Sequence, residues 1–249
     1  MSDLERWLPY RRPRSTPALR LFCFPYAGGS ASAYRGWSEK LPDGVEVCAV
    51  QPPGRERRMA ETAFTRMEPL IEKMAQVLIP VLDRPFAFFG HSMGAKVAYE
   101  LARKLRRESR ALPRLMMFSG SRAPHMPPDD DPIYGLPDEE LLAELHRLGG
   151  TPKEVLDNEE LMRLLLPLLR ADFELNETYE HQPENPFDLP VAAYGGVDDE
   201  ECPPETIEGW KDVTEGPFRR RMFEGGHFFL HEVTDELLGE IRRDLAGVL

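Results

Sequence analysis

The chain has 249 residues and a formal net charge of −12 at pH 7. That balance argues against nucleic acid and against an anionic membrane face, both of which call for a basic surface. Hydrophobic residues make up 41% of the sequence, enough at this length for one sizeable core with insertions. Cys23, Cys48 and Cys202 form neither a C-x-x-C pair nor an even-numbered framework, which fits a reducing cytoplasm.

From the amino terminus, Met1 to Thr16 mixes charges with Pro9 and Pro13 and has no apolar h-region, so it reads as an extended lead-in rather than a secretory signal. No stretch approaches the roughly 20 apolar residues of a membrane span. Short apolar runs then alternate with helical spacing. Strands are expected at Leu19–Phe24, Val45–Gln51, Phe86–Phe89, Leu115–Ser119, Val191–Gly195 and Arg219–Phe223, and helices at Met67–Leu82, Ala95–Arg107 and Asp235–Leu245. This alternation predicts an α/β fold with a mostly parallel sheet covered on both faces. The order breaks between Ser121 and Pro190. A loop with Pro124, Pro127, Pro128 and Asp129–Asp131 is followed by helices at Asp138–Leu148 and Glu159–Tyr179 without an intervening strand. A single domain is therefore expected, with its core at 17–122 and 189–249 and an inserted helical lid at 123–188. The lid would sit on the sheet's carboxyl edge, where open α/β sheets bind ligands.

Gly90-His91-Ser92-Met93-Gly94 falls where the third strand meets its helix. A G-x-S-x-G sequence in that context marks Ser92 as a candidate nucleophile on a strained turn, with free helix N–H groups beside it to favour developing negative charge. A serine needs a base, and the base a carboxylate to orient it. His227, in Gly225-Gly226-His227-Phe228-Phe229 after the last strand, is the expected base. His91 is expected to point away from Ser92 and to be structural; His125, His146, His181 and His231 fit the base less well. The carboxylate follows the fifth strand, in Gly195-Gly196-Val197-Asp198-Asp199. Counting from Gly196 selects Asp199, and counting from Gly195 selects Asp198; Asp199 is preferred. The oxyanion hole is expected from the backbone N–H groups of Met93 and of Ala27, in the loop Phe24-Pro25-Tyr26-Ala27-Gly28-Gly29. No cofactor or metal is expected, since no H-E-x-x-H or cysteine cluster occurs.

The loop just quoted, Gln51-Pro52-Pro53-Gly54-Arg55-Glu56, the Ser92 elbow, the His227 segment, and Arg170-Ala171-Asp172-Phe173 with Tyr179 occur in this order from about Leu19 onward. Together they resemble the type II thioesterases, α/β-hydrolases that edit polyketide and nonribosomal peptide assembly lines. The resemblance implies a monomeric cytoplasmic enzyme that hydrolyses acyl thioesters on the phosphopantetheine arm of acyl or peptidyl carrier proteins, removing aberrant or stalled units. Carrier proteins are themselves acidic, so this acidic chain needs a local basic or apolar patch to meet one. Arg55, Arg57 and Arg58 are the preferred docking cluster, ahead of Arg103, Lys104, Arg106 and Arg107. Competing readings are a medium-chain fatty-acyl thioesterase, a serine esterase of small free esters, and a non-catalytic binding module that keeps the fold.

Overall fold

The structure, a computed structural model, describes residues 2–127, 131–151 and 153–249. Six strands form one sheet: β1 (Leu19–Phe24), β2 (Val45–Ala49), β3 (Phe86–His91), β4 (Met116–Ser119), β5 (Val191–Gly196) and β6 (Phe218–Phe223). All pairings are parallel, in the order β2-β1-β3-β4-β5-β6. The chain thus runs outward from β1 to β2 and then returns past β1 to build the other side. The switch in direction lies between β1 and β3, where Phe24 pairs with Gly90. Open α/β sheets bind ligands at such a point, just beyond the strand ends.

Every residue of β1 to β5 is buried, because helices cover both faces and a strand buried twice carries a continuous apolar run. The edge strand β6, Phe218-Arg219-Arg220-Arg221-Met222-Phe223, is only partly buried. Its Arg219 is held by Asp244 and Glu240. The helices are α1 (Asp3–Trp7), α2 (Trp37–Lys40), α3 (Met67–Leu78), α4 (Met93–Arg107), α5 (Asp138–Leu148), α6 (Lys153–Leu156), α7 (Glu159–Glu177), α8 (Pro204–Glu208), α9 (Phe229–Glu232) and α10 (Thr234–Ala246). Residues of α3, α4 and α8 join one apolar cluster with Phe22, Phe88 and Phe118. The opposite cluster gathers Trp37 of α2, α9 and α10 around Phe89 and Tyr194.

Two expectations need correction. The amino terminus is not simply extended: Ser2 and Glu5 form a reciprocal capping box that starts α1, and Trp7 and Leu8 are buried in the first cluster. A cap that satisfies two orphan N–H groups, combined with burial of an indole, offsets the poor helix tendency of so short a segment. The helix expected at Met67–Leu82 changes at Ile79–Val81 into a tighter 3₁₀ turn; Pro80 lacks the N–H that an α-helix would continue with.

Between β4 and β5 lie α5, α6 and α7, with a small apolar cluster of their own around Leu141, Leu145, Leu156, Met162 and Leu169. Pro128, Asp129 and Asp130 of the expected proline and acidic loop lie outside the described residues. Helix α7 spans two environments. Leu164 near its start is 62% exposed, whereas Leu175 near its end belongs to the main core.

Candidate active site

Strand β3 and helix α4 meet at Ser92, whose φ of 53° and ψ of −120° place a non-glycine residue in strained backbone. The strain is held by crowding. A Cβ at Gly90 would overlap the carbonyl of Gly94, and one at Gly94 would overlap the carbonyl of Phe24 at the end of β1. The Ser92 N–H donates to the Ser119 carbonyl at 2.8 Å, tying the elbow to β4. With its backbone so fixed, the Ser92 side chain faces a cavity of about 230 Å³ whose wall also includes Tyr26, Ala27, Lys96, Cys202 and His227.

His227 follows β6 and turns back over the sheet end. Its Nδ1 lies 2.9 Å from Asp199 Oδ2. Asp199, 4% exposed, takes two further hydrogen bonds on Oδ1, from the N–H groups of Glu201 and Cys202 at 3.0 Å each. Asp198 is exposed instead. Of the two adjacent aspartates, Asp199 is therefore the one brought to His227. Burial works against the His227 charge, but the Asp199 hydrogen bond and the neighbouring Cys202 sulfur outweigh it and hold the imidazole above its ordinary pKa. Such a site favours the imidazolium that forms when a histidine accepts a proton.

Among the described residues, Asp199, Cys202 and His227 are also the one group with donor atoms close enough to hold a metal, within 4.8 Å of one another. Both Asp199 oxygens are already engaged by the bonds just described, so these donors fit a hydrogen-bonded dyad. His91 turns away from the cavity wall. It is fully buried, its Nδ1 lies 2.9 Å from Ser119 Oγ, and burial holds its pKa below the ordinary value. His231 on α9 pairs through Nε2 with the Tyr26 hydroxyl at 2.9 Å.

The loop after β1 carries Ala27 to the cavity wall, and Met93 opens α4. A first-turn helix residue has no intrahelical partner for its N–H. A feature invisible in the sequence holds this loop. The Gly28 N–H donates to Asp172 Oδ2 at 2.7 Å, from the far half of α7. Asp172 also accepts two bonds from Arg55, Nη1 to Oδ2 at 2.9 Å and Nη2 to Oδ1 at 2.8 Å, with both side chains buried. Arg55 Nη1 donates to the Gly29 carbonyl as well, at 3.0 Å.

These contacts correct the docking expectation. Arg55 and Arg58 are 4% and 6% exposed and point inward, leaving only Arg57 of that cluster at the surface. Arg58 is spent on Glu61 and the Gln51 carbonyl. The second cluster is internally paired too. Arg103 is buried against Glu100 and Glu184, Arg106 and Arg107 share Glu184, and Lys104 pairs with Glu72 and Glu108.

A parallel sheet with a strained serine at its switch point, opposed by a histidine–aspartate pair from the last two strands, defines an α/β-hydrolase. The family model for the thioesterase domain matches residues 19–245. The chain is 41% identical over 249 residues to the gramicidin S biosynthesis protein GrsT of Aneurinibacillus migulanus, covering 100% of this chain and 97% of that one. Among solved structures, it is similar to the RedJ thioesterase from the prodiginine biosynthetic pathway of Streptomyces coelicolor. There the TM-score is 0.86 and the identity 41%, covering 97% of this chain and 99% of that chain. The type II thioesterase BorB from the borrelidin biosynthetic cluster superposes with a TM-score of 0.85 at 36% identity, covering 98% and 97% of the two chains. The chain belongs to the thioesterase family and is a thioester hydrolase of the type II kind.

Proposed function

We propose that the protein removes stalled or aberrant acyl units from the phosphopantetheine arm of carrier proteins in a nonribosomal peptide or polyketide assembly line, through Ser92, His227 and Asp199. The observation that carries this reading is the Asp199–His227 hydrogen bond on the wall of the cavity that Ser92 faces. Ser92 Oγ attacks the thioester carbonyl while His227 Nε2 takes its proton. The tetrahedral oxyanion is held by the N–H groups of Ala27 and Met93, with the positive end of the α4 dipole behind them. On collapse the C–S bond breaks and His227 gives its proton to the departing pantetheine sulfur. Water, deprotonated by His227, then opens the acyl-serine ester and regenerates the enzyme.

Residues 123–188 act in this reading as a lid over the acyl chamber. Asp172 couples that lid to the loop carrying Ala27. With the second basic cluster paired internally and only Arg57 of the first at the surface, the carrier meets an apolar surface, and Leu161 and Leu164 on α7 are 42% and 62% exposed. No helix among the described residues is long and apolar enough to cross a membrane. Three buried free cysteines fit a monomeric enzyme of the cytoplasm.

The test is labelling and turnover together. A fluorophosphonate probe should modify Ser92, and the enzyme should release acyl groups from loaded carrier proteins faster than from oxygen esters of the same acids. Preference for the oxygen esters would replace this reading with that of a small-ester esterase.

A further inference from the structure

The acyl chamber has one costly feature that the proposed mechanism does not use. Lys96 lies four residues beyond Ser92 on α4, one helical turn along and on the same face, and it lines the chamber with Ser92 and His227. Its immediate α4 neighbours Met93, Ala95, Val97 and Ala98 are buried and small or apolar, and the buried Glu100 one turn further on is already engaged by Arg103 and the Tyr179 hydroxyl. The ammonium is poorly matched. Among the described residues it makes one long hydrogen bond, 3.4 Å to the Asn176 carbonyl, and stands 5.8 Å from the centre of the Tyr179 ring. Among the described residues no carboxylate forms an ion pair with it within 4.0 Å. Beside it, Asn176 Oδ1 is buried with no hydrogen-bond partner. A cation with spare donors next to an unpaired amide must draw on water or on a ligand.

We propose that Lys96 is the specificity-determining residue of the acyl chamber, admitting short or polar-ended acyl groups and rejecting medium-chain alkyl groups. The inference rests on the thioesterase reading and specifies its substrate class. A short acyl group on Ser92 leaves the ammonium its water. An alkyl tail long enough to reach Lys96 strips that water and supplies no acceptor, whereas a tail ending in a hydroxyl supplies one. Rejection through polar groups left unpaired is far stronger than rejection through shape alone.

The test compares kcat/KM for N-acetylcysteamine thioesters of propanoic, octanoic and 7-hydroxyheptanoic acids, the last matching octanoyl with a hydroxyl in place of the terminal methyl. Wild-type enzyme should favour propanoyl over octanoyl, and 7-hydroxyheptanoyl over octanoyl, by roughly tenfold or more. In Lys96→Met, of similar length but uncharged, the octanoyl-to-propanoyl ratio should rise by roughly tenfold and the advantage of the hydroxyl should vanish. Lys96→Arg, which keeps the charge, should retain the short-chain preference. An active enzyme in which Lys96→Met keeps the wild-type ratios overturns this proposal alone. A wild-type enzyme inert toward every thioester overturns the thioesterase reading and this proposal with it.

A second measurement needs no variant. Burial, with the Arg122 guanidinium, brings the Lys96 ammonium down to about 8 against the opposing Cys202 and Glu177; Tyr179 faces it from beyond α7 and Glu100 stands one turn along α4. The octanoyl-to-propanoyl ratio in the wild type should therefore rise between pH 7 and 9 as the amine loses its proton. Both substrates depend equally on His227, so its titration cancels in the ratio. A ratio that stays flat while the Lys96 amine, followed by NMR, loses its proton overturns the proposal.

Discussion

The elbow and the helical insertion place their residues by opposite means. At the elbow, β3 is buried along its whole length and α4 buries eleven of its residues, so the position of Ser92 follows from close packing and from two glycines with no room for a Cβ. In the insertion, α5 buries only Leu141 and Leu145, and α6 only Leu156. Helix α7 reaches the catalytic end of the sheet through Leu175 in the core, the Asp172 carboxylate on Arg55 and Gly28, and the Asn176 carbonyl on Lys96. The nucleophile is thus set by close packing, whereas the insertion meets the loop carrying Ala27 through a buried ion pair.

The sharpest contrast is between chemistry and stability at the elbow itself. Ser92→Ala removes a hydroxyl that faces the cavity and leaves the packing of Gly90 and Gly94 untouched. Turnover of acyl thioesters should fall on the order of a million-fold, with the thermal midpoint unchanged or raised as backbone strain at the serine persists without further cost. Activity near wild type would remove Ser92 from the mechanism.

Next in size is the histidine–aspartate pair. Asp199→Asn should cost roughly ten thousand-fold in turnover, as the corresponding change does in serine proteases, while Asp198→Asn at the exposed neighbour should be mild. The pH profile adds a sign. A base works only when neutral, so with the His227 pKa raised by Asp199 the wild-type kcat/KM should climb with pH across the range below that raised value. Removing the carboxylate takes away the larger of the two groups that oppose burial, leaving Cys202 alone to do so, and the limb in Asp199→Asn should move to lower pH. A limb that stays in place would mean that the carboxylate does not set the histidine's charge.

The ion pair tests the insertion's side of the contrast. Asp172→Ala leaves the Arg55 guanidinium buried without its carboxylate and the Gly28 N–H without its acceptor. Unfolding in urea should show a loss of about 3–5 kcal/mol, the usual cost of breaking one side of a buried pair. Turnover should fall by roughly a hundredfold, because the loop carrying Ala27 loses its anchor and small misplacements cost that much. Loss of stability with full activity would separate the ion pair from the oxyanion loop.

How much of this was legible in the sequence depended on how local its causes are. Leu19–Phe24 could be read to the residue because a strand buried on both faces is a continuous apolar run, and the elbow because its glycines are demanded by contacts within a few residues. The first helix was missed, since Pro9 and Pro13 dominate its neighbourhood even though Ser2 and Glu5 spell a capping box. Asp198 and Asp199 are equivalent in pattern; the turn after β5 decides which one is buried. Arg55 was misread as a docking cation because its partner lies 117 residues away. No local rule shows whether a cation at a strand end faces water or a distant carboxylate. Lys96 was open to notice as a charge one turn beyond Ser92, in the small and apolar first half of its helix.

The smallest effect expected is also the one that measures the contrast directly. Amide hydrogen exchange reports local opening, which is easiest where few apolar contacts hold a segment. In the free enzyme, Asp138–Glu177 should exchange faster than Met93–Arg107, which the core already holds. A covalent acyl analogue on Ser92 fills the chamber and adds contacts to Leu169 and Phe173 on its wall. It should slow exchange across α5 to α7 while changing α4 little, as expected of a cover whose motion gates the pantetheine arm. Within α7 the effect should be graded, strongest toward Leu161–Leu165 and weakest near Asp172 and Leu175, which are anchored already. Equal protection of α4 and the insertion, before and after acylation, would make the insertion a rigid wall. Acyl selectivity would then come from the fixed chamber and from Lys96 rather than from closure.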